Sequence, residues 1–386
     1  MKDPALQPHE EKLVATARDF ARQVVGPQAA AWERERRVPR ETLGEAAQAG
    51  LAGLLVPAAW GGSDVSYTAM ARIKEELSRA CMAFAFSLVC HNNLAGNIAR
   101  NGTDAQRERY LRPMVRGERI GAFLLTEPGA GSDAAAISTR AEPTTDGWRL
   151  NGTKAWVTNG VIGDVLSVYA QSDPSQGWRG VVCLLVDAET PGVTREAGYG
   201  LLSGHAMGVS DVTLRDCHVG AGQLLLGAQA AFRGAMAGIN IARANVAAMC
   251  CGMLAAGLER ALEHTAERRA FGQSIAGFQG VQWQLADVAT DLEAARLLAY
   301  QATRAIDAGE TGALEAAHAK KFATRVTLSG LVDCMQVMGA NGFRSEEVLG
   351  RHLGFAKLTQ WMDGATEIQN VVISRELLRR RGVVTA

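Results

Sequence analysis

The chain has no excess charge of either sign: its 386 residues include 40 Lys and Arg against 40 Asp and Glu. Phosphate neutralisation normally leaves a basic footprint, so nucleic acid is not an expected partner. The seven cysteines are scattered, odd in number and never spaced CxxC, which speaks against a disulfide framework or a zinc site. No metal is expected, and a cytoplasmic, reducing location fits. The opening stretch MKDPALQPHEEKL lacks the apolar centre of a secretory signal. The uncharged run that matters most for a membrane span, residues 244–258, falls short of the ~18 residues of a spanning helix, so no membrane association is expected. Neither repeats nor a low-complexity tail occur.

What is present is length and a change of texture. The chain exceeds the roughly 250–300 residues at which one core stops growing, so several domains are expected. Residues 10–25, 40–54, 68–98 and 104–111 place apolar side chains three and four apart, the helical period, with PAAWGGS at 57–63 as a break. From about 120 to 225, short β-branched and aromatic runs alternate with Gly, Asp, Asn and Pro. Strands are predicted at 148–150, 154–158, 165–171 and 180–187. Helical patterning returns over 239–268, 278–308, 315–339 and 366–380. The predicted fold is mainly α with a central β domain. It comprises an N-terminal helical domain (1–120), a small β-sandwich or barrel (121–228) and a C-terminal four-helix bundle (229–386).

Four local patterns could carry chemistry. The first, LTEPGAGSD at 125–133, is a Gly-rich turn flanked by Thr126 and Ser132, able to offer N–H groups and hydroxyls to an anion or a polar ring. It starts like GxGxxG, but Ala134 replaces the third Gly and no βαβ unit surrounds it; a plain interdomain turn is the alternative. In WVTNG at 156–160, Trp156 and Thr158 would share one strand face and could meet a planar cofactor, or simply pack in a core. ERRAFG at 267–272, followed by Phe278 and Gln279, puts Arg268 at a helix end, where it could pair with a phosphate or remain solvated. QVMGANGF at 336–343 contains glycines that permit close approach. Further on, Asp363 precedes Gly364 and a new helix, a place where acids are often caps.

In order and spacing, LTEPGAGSD, WVTNG, ERRAFG with FQ, QVMGANGF and DGATEIQ (363–369) resemble the acyl-CoA dehydrogenase family over nearly the whole chain. The resemblance implies FAD between the β domain and the C-terminal helices. The flavin would meet Phe123, Leu125, Thr126, Gly131, Ser132 and the strand Trp156, Val157, Thr158, with Ala365 and Glu367 nearby. Arg268, Phe271, Gln279, Gln336, Val337, Gly339 and Ala340 would hold the adenosine and pyrophosphate from a neighbouring subunit, so a homo-oligomer is implied, commonly a tetramer. Ser132, Arg243, Met362 and Gly364 would meet substrate.

The resemblance further implies α,β-dehydrogenation of an acyl thioester. A carboxylate takes the α-proton while the β-hydrogen leaves as hydride to flavin N5, and an electron-transfer flavoprotein accepts the electrons. Asp363 occupies the base position, where the family usually has Glu. The other known base position reads Ala242-Arg243 and cannot serve. Asp is one methylene shorter and about 0.4 pH units more acidic. Gly354-Phe355 stands where Arg-Asp is frequent, and Ala365 lacks a hydroxyl. Bulky Trp361 and Met362 would shorten the pocket and favour a short or branched acyl-CoA. Alternatives are a carrier-protein-bound thioester as substrate, or a nitroalkane oxidase-like flavin oxidase. A DNA-binding flavoprotein branch is disfavoured by the neutral charge. Arg100, Arg107 and Arg109 read as solvated helix faces, and His91 as a core histidine.

Overall fold

A computed structural model describes residues 6–383; the first five residues of the polar N-terminal stretch lie outside them. Helix α1 (Pro8–Phe20) starts with Pro in its first turn and a reciprocal Gln7–Glu10 cap. It runs through a π-turn into α2 (Gly26–Glu35). Helix α3 (Arg40–Gln48) stops six residues short of the predicted 54, because Gly50 adopts a positive φ of 79°. The single helix predicted over 68–98 is two, α4 (Tyr67–Ala80) and α5 (Met82–Asn101), since Cys81 between them is extended at φ −156°. Short helices α6 (Asp104–Gln106) and α7 (Arg112–Val115), joined by a π-turn, lead to the β region.

The strands are β1 (Gly121–Leu124), β2 (Arg140–Pro143), β3 (Gly147–Val157), β4 (Val165–Gln171), β5 (Val181–Asp187), β6 (Val193–Arg195), β7 (Ser210–Gly220) and β8 (Leu224–Leu226). They form one mixed sheet in the order β6-β7-β3-β2-β4-β5-β8, with β1 parallel to β4. The predicted strands 148–150 and 154–158 are both parts of β3, whose register against β7 slips on either side of Thr153. Period-two alternation gives the sheet two apolar faces. Leu166 and Val168 of β4 face inward with Val182 and Leu184 of β5 and Leu150 and Val212 of β3 and β7. Val165 and Tyr169 face outward, onto Leu94 and Ile98 of α5 and the start of the first C-terminal helix.

That helix, α8 (Ala230–Glu267), is followed by a small hairpin, β9 (Arg269–Ala270) and β10 (Gln273–Ser274). Then come α9 (Gln279–Asp307), α10 (Ala313–Met338), α11 (Val348–Thr359) and α12 (Thr366–Arg379). The sequence pattern did not reveal α11. Helix α8 is long and apolar enough to cross a bilayer, which the uncharged run 244–258 had not suggested, but that stretch is buried inside the molecule.

One continuous core joins the two ends of the chain: Val14, Ile73 and Leu77 pack with Met249, Leu254, Leu292 and Ala319. Polar ties reinforce it. Asp307 accepts hydrogen bonds from the N–H groups of Tyr67 and Thr68 at 2.7 and 3.1 Å. Arg296 pairs with buried Glu75 at 2.8 Å. The functional residues gather where α5, α8, the outer face of β1 and β4, and the loop before α12 meet.

Candidate active site

Helices α5 and α8 leave a cavity of about 290 Å³ between them, covered by Phe123 and Tyr169 of the sheet. Phe86, Val89 and Cys90 line it from α5, and Ile241 and Ala242 from α8. Among the described residues, the one carboxylate on its wall is Asp363, in the loop between α11 and α12.

Asp363 and Gly364 both take positive φ, 50° and 93°, so the chain turns sharply before α12. The N-cap of that helix is Ala365; Asp363 is therefore not the cap its position suggested. Three side chains hold the loop by its carbonyls. Arg243 Nε donates to Asp363 O at 3.0 Å, and Lys320 Nζ and Gln369 Nε2 donate to Gly364 O at 2.9 and 2.8 Å. Two cations thus stand beside the carboxylate without bonding it, and Asp363 Oδ2 is buried with no partner among the described residues. Burial raises the carboxyl to about 6, although Lys320 and Arg243 pull it down. Burial likewise lowers Lys320 to about 8, against the opposing influence of Asp363. Burial, then the Asp363 charge, pushes the neighbouring Cys90 thiol up to about 12, so it is a neutral wall of the cavity. Lys74, fully buried with Nζ unpartnered among the described residues, is brought down to about 7 by burial.

The Gly-rich turn rests on a buried ion pair that the motif gave no hint of. Lys154 Nζ lies 2.8 Å from Glu127 and 3.0 Å from Leu125 O. The same carboxylate accepts hydrogen bonds from Ser138 N, Ser138 Oγ and Thr139 N, at 2.7, 2.7 and 2.9 Å. Burial alone would raise the Glu127 carboxyl; Lys154 and these donors outweigh it and hold it near 2. Above the pair, Gly131 and Ser132 are exposed and a Cβ at Gly129 or Gly131 would meet open space. Ala155 N donates to Thr126 O at 2.9 Å, fastening the turn to the end of β3.

Trp156 and Thr158 do not share a strand face. Strand β3 ends at Val157 and Trp156 has φ 57°, which breaks the alternation. The indole is 54% exposed and sits edge-on to Tyr199, while Thr158 is buried. An exposed indole beside an open turn of N–H groups and hydroxyls suits a flat, polar ring system. Leu125 and Val157 are buried beneath it.

Arg268, Phe271, Gln279, Gln336, Gly339 and Ala340 are exposed, Phe271 at 93%, while Val337 is buried. They cluster around the far end of α8: Gly257 packs on Leu331 of α10, so the C-terminal ends of α8 and α10 lie side by side. Arg268 follows Arg243 by 25 residues, about 38 Å at 1.5 Å per helical residue. Ala365 and Glu367 lie instead at the start of α12, next to Asp363.

Of the residues expected at the substrate, Ser132, Arg243, Met362 and Gly364 do not line the cavity, whereas Phe123, expected at the cofactor, does. Arg243 holds the base loop from behind and Asn240 at 3.0 Å. Trp361 does not shorten the pocket; it is 56% exposed under Lys357. Phe86 and Tyr67 are the bulky side chains that line the cavity from α5 and α4, residues that helical periodicity could only label as apolar. His91 is a core histidine, its Nδ1 accepting from Gly121 N at 3.2 Å. Phe355 packs α11 onto Gly204, and Gly354 leaves room for Ser203.

Three family models match: acyl-CoA dehydrogenase N-terminal domain over residues 7–118, middle domain over 122–217 and C-terminal domain over 232–378. The chain is 35% identical over 370 residues to a 3-(aryl)acrylate reductase of Clostridium sporogenes (strain ATCC 15579), covering 96% of this chain and 98% of that one. It is 34% identical to the mitochondrial short-chain specific acyl-CoA dehydrogenase of Mus musculus, covering 96% and 90%. The solved butyryl-CoA dehydrogenase of Megasphaera elsdenii superposes with a TM-score of 0.94 at 31% identity, covering 98% and 100%. Solved structures of the same fold at 28% identity hold FAD. The protein is a flavin-dependent oxidoreductase. It belongs to the acyl-CoA dehydrogenase family, with FAD as cofactor and acyl-CoA dehydrogenation as its chemistry.

Proposed function

We propose that the chain dehydrogenates a short-chain acyl thioester, with Asp363 as the base that removes the α-proton. The observation that carries this reading is the unpartnered, buried Oδ2 of Asp363 on the cavity wall. A carboxylate deprived of solvent and of hydrogen-bond donors is a stronger base, and a pKa near neutrality suits it to accept a proton at working pH. Arg243 and Lys320 fix the loop through main-chain oxygens, so the base is oriented without being quenched. Bound FAD supplies the acceptor for the β-hydrogen and its electron pair. Thr126, Gly131, Ser132, Trp156 and Thr158 would hold its ring system, and the cavity walls exclude water from the α-carbon.

Phe86 and Tyr67 in the cavity wall, and the modest cavity volume, support a short acyl group. Arg268, Phe271, Gln279, Gln336 and Gly339 lie too far along α8 to reach the same FAD within one chain. The adenosine end is therefore held by a second copy, in a homo-oligomer that is a tetramer on the family's pattern. Electrons leave to an electron-transfer flavoprotein.

The test is an anaerobic titration of the purified yellow protein with acyl-CoAs of increasing length, followed by visible absorbance. Bleaching by the short thioesters, abolished in Asp363→Asn, is the expected result. A protein that no thioester bleaches, but that consumes O2 with a nitroalkane, would replace this reading by the oxidase one. An acid titrating near 6 can also return its proton in the reverse direction. Reoxidation of the reduced protein by an arylacrylate would therefore mark a reductase.

A further inference from the structure

One buried amine takes no part in the chemistry above. Lys74 of α4 is fully enclosed, and its Nζ finds no partner among the described residues. Asn245 of α8 is 1% exposed, and neither end of its amide is hydrogen-bonded there. The packing of α4 on α8 brings the two together. Ser78 Oγ donates to Met249 O at 3.0 Å, while Tyr67 and Ile241 both line the cavity, so the helices run in the same direction. One turn before the Ser78–Met249 contact, the same two faces present Lys74 and Asn245. Neither residue lines the cavity: Asn245 stands one turn beyond Ile241, and Lys74 two turns beyond Tyr67. The Cys90 thiol on the cavity wall is near enough to act on the lysine. The inner end of the cavity is thus backed by three polar atoms without partners.

We propose that these atoms form a subsite for a hydroxyl group at the far end of the acyl chain, so that the substrate is an ω-hydroxyacyl thioester. The proposal rests on the thioester reading above. Counting donors and acceptors selects the hydroxyl. Lys74 Nζ and Asn245 Nδ2 offer hydrogens and Asn245 Oδ1 accepts one, and exchanging the two ends of the amide leaves that count unchanged. A hydroxyl accepts two bonds and donates one, so it satisfies all three atoms. A terminal methyl leaves them unpaired and dry. A carboxylate accepts from both nitrogens, but it sets its charge against Asn245 Oδ1 and carries that charge into the interior. No standing cation awaits it: burial brings the amine down to about 7. His91 is lowered to about 4, by burial first and by Lys74 second, and Cys90 is a neutral thiol. The helix sets the length of the chain. Arg243 holds the Asp363 loop, so Ala242 beside it, on the cavity wall, marks the level of the base. Asn245 follows Ala242 by three residues, about 4.5 Å along the axis. Four bonds from the α-carbon, each advancing about 1.2 Å when extended, cover that distance and put the hydroxyl on the fifth carbon.

Calorimetric titration of the FAD-loaded Asp363→Asn protein reads the preference without turnover. The ligands are 5-hydroxypentanoyl-CoA, hexanoyl-CoA as a chain of equal length, and glutaryl-CoA as the acid. The hydroxyl compound is expected to bind about ten- to a hundredfold tighter than hexanoyl-CoA, the size of two or three buried hydrogen bonds. Lys74→Met and Asn245→Leu, each added to that protein, should cut the preference to below about threefold. Lys74→Met removes an unpaired buried amine and should melt no lower than its parent; should it fail to fold, Asn245→Leu carries the test. Equal binding of 5-hydroxypentanoyl-CoA and hexanoyl-CoA overturns the proposal and leaves a trapped water as the occupant. A preference that survives both substitutions overturns it as well, and so does tighter binding of glutaryl-CoA that is lost in Lys74→Met. Bleaching of the flavin in the protein with Asp363 intact keeps the two readings apart. Thioesters that bleach without a hydroxyl preference in binding sink this proposal alone, whereas a preference without bleaching keeps the subsite and removes the dehydrogenase.

Discussion

Two buried carboxylates are set to opposite states by their surroundings. Asp363 lacks donors and rises to about 6, whereas Glu127 gains four and falls to about 2. If Asp363 is the base, the rate of flavin reduction at low substrate rises with pH and is half-maximal near 6. The same group costs stability. Its folded pKa lies above the ordinary 3.8, so the penalty is fully present above pH 6 and vanishes below about 4. At 1.36 kcal/mol per pH unit, Asp363→Asn is expected to stabilise the protein by up to about 3 kcal/mol at pH 8, and not at pH 4. Thermal melts at the two pH values check this; equal effects at both would refute it. Breaking the Glu127 pair should act in the other direction. Lys154→Met leaves an uncompensated buried charge and is expected to cost about 3–5 kcal/mol, while Lys154→Met with Glu127→Leu recovers most of it in denaturant titrations. Asp363 could be singled out as a candidate base only through the resemblance that DGATEIQ carries, and its orphaned oxygen was not legible at all. That state depends on Arg243 and Lys320, which are far away in sequence and act through carbonyls. Lys154 was unreadable for a similar reason: a charge in a strand looks solvated until its partner is known.

At the scale of elements, periodicity marked most of the helices and the strands β4 and β5 closely. It failed where one backbone angle overrides the pattern. Cys81 splits an apolar run into α4 and α5, and the positive φ of Trp156 ends the alternation of β3. Helix α11 escaped notice because Gly354 interrupts it; that glycine is there to admit Ser203. Close packing gives a sharp test on α8. A Cβ on Gly252 would lie 2.1 Å from Ser78 Oγ and 2.2 Å from Glu75 O. Alanine normally gains about 1 kcal/mol over glycine inside a helix, but here overpacking of about 1–3 kcal/mol or more wins, so Gly252→Ala should lower the melting temperature. Gly238→Ala has open space before it and should raise the melting temperature. If both substitutions stabilise, the α4–α8 contact is looser than described.

For the whole molecule, the sequence order helix, sheet, helix was readable from composition, but the sharing of one core by the two helical ends was not, since no local pattern reports a partner 200 residues away. Exposure of Phe271 and its neighbours has a consequence for assembly. A Phe271→Ser, Arg268→Ala chain should lose FAD although its own flavin-side residues are intact, and the Asp363→Asn chain should be inactive. Mixed and reassembled, the two should regain up to about a quarter of activity, because random pairing yields that share of sites with both intact halves. No recovery would mean that each chain holds its FAD alone.

The pairing of Glu75 with Arg296 across 221 residues also sets a delay during synthesis. At 5–20 residues per second, roughly 10–45 s separate the two residues at the ribosome. Through that interval α4 and α5 have emerged without the helices that cover them, while the β region, whose pairings all close before residue 227, can fold. The nascent chain therefore carries a finished sheet tethered to a bare apolar surface for tens of seconds. Chains stalled far enough beyond residue 228 for the sheet to clear the ribosome should show protease resistance in the β region and chaperone binding at 67–101; resistance across 67–101 at that length would show that those helices need no partner.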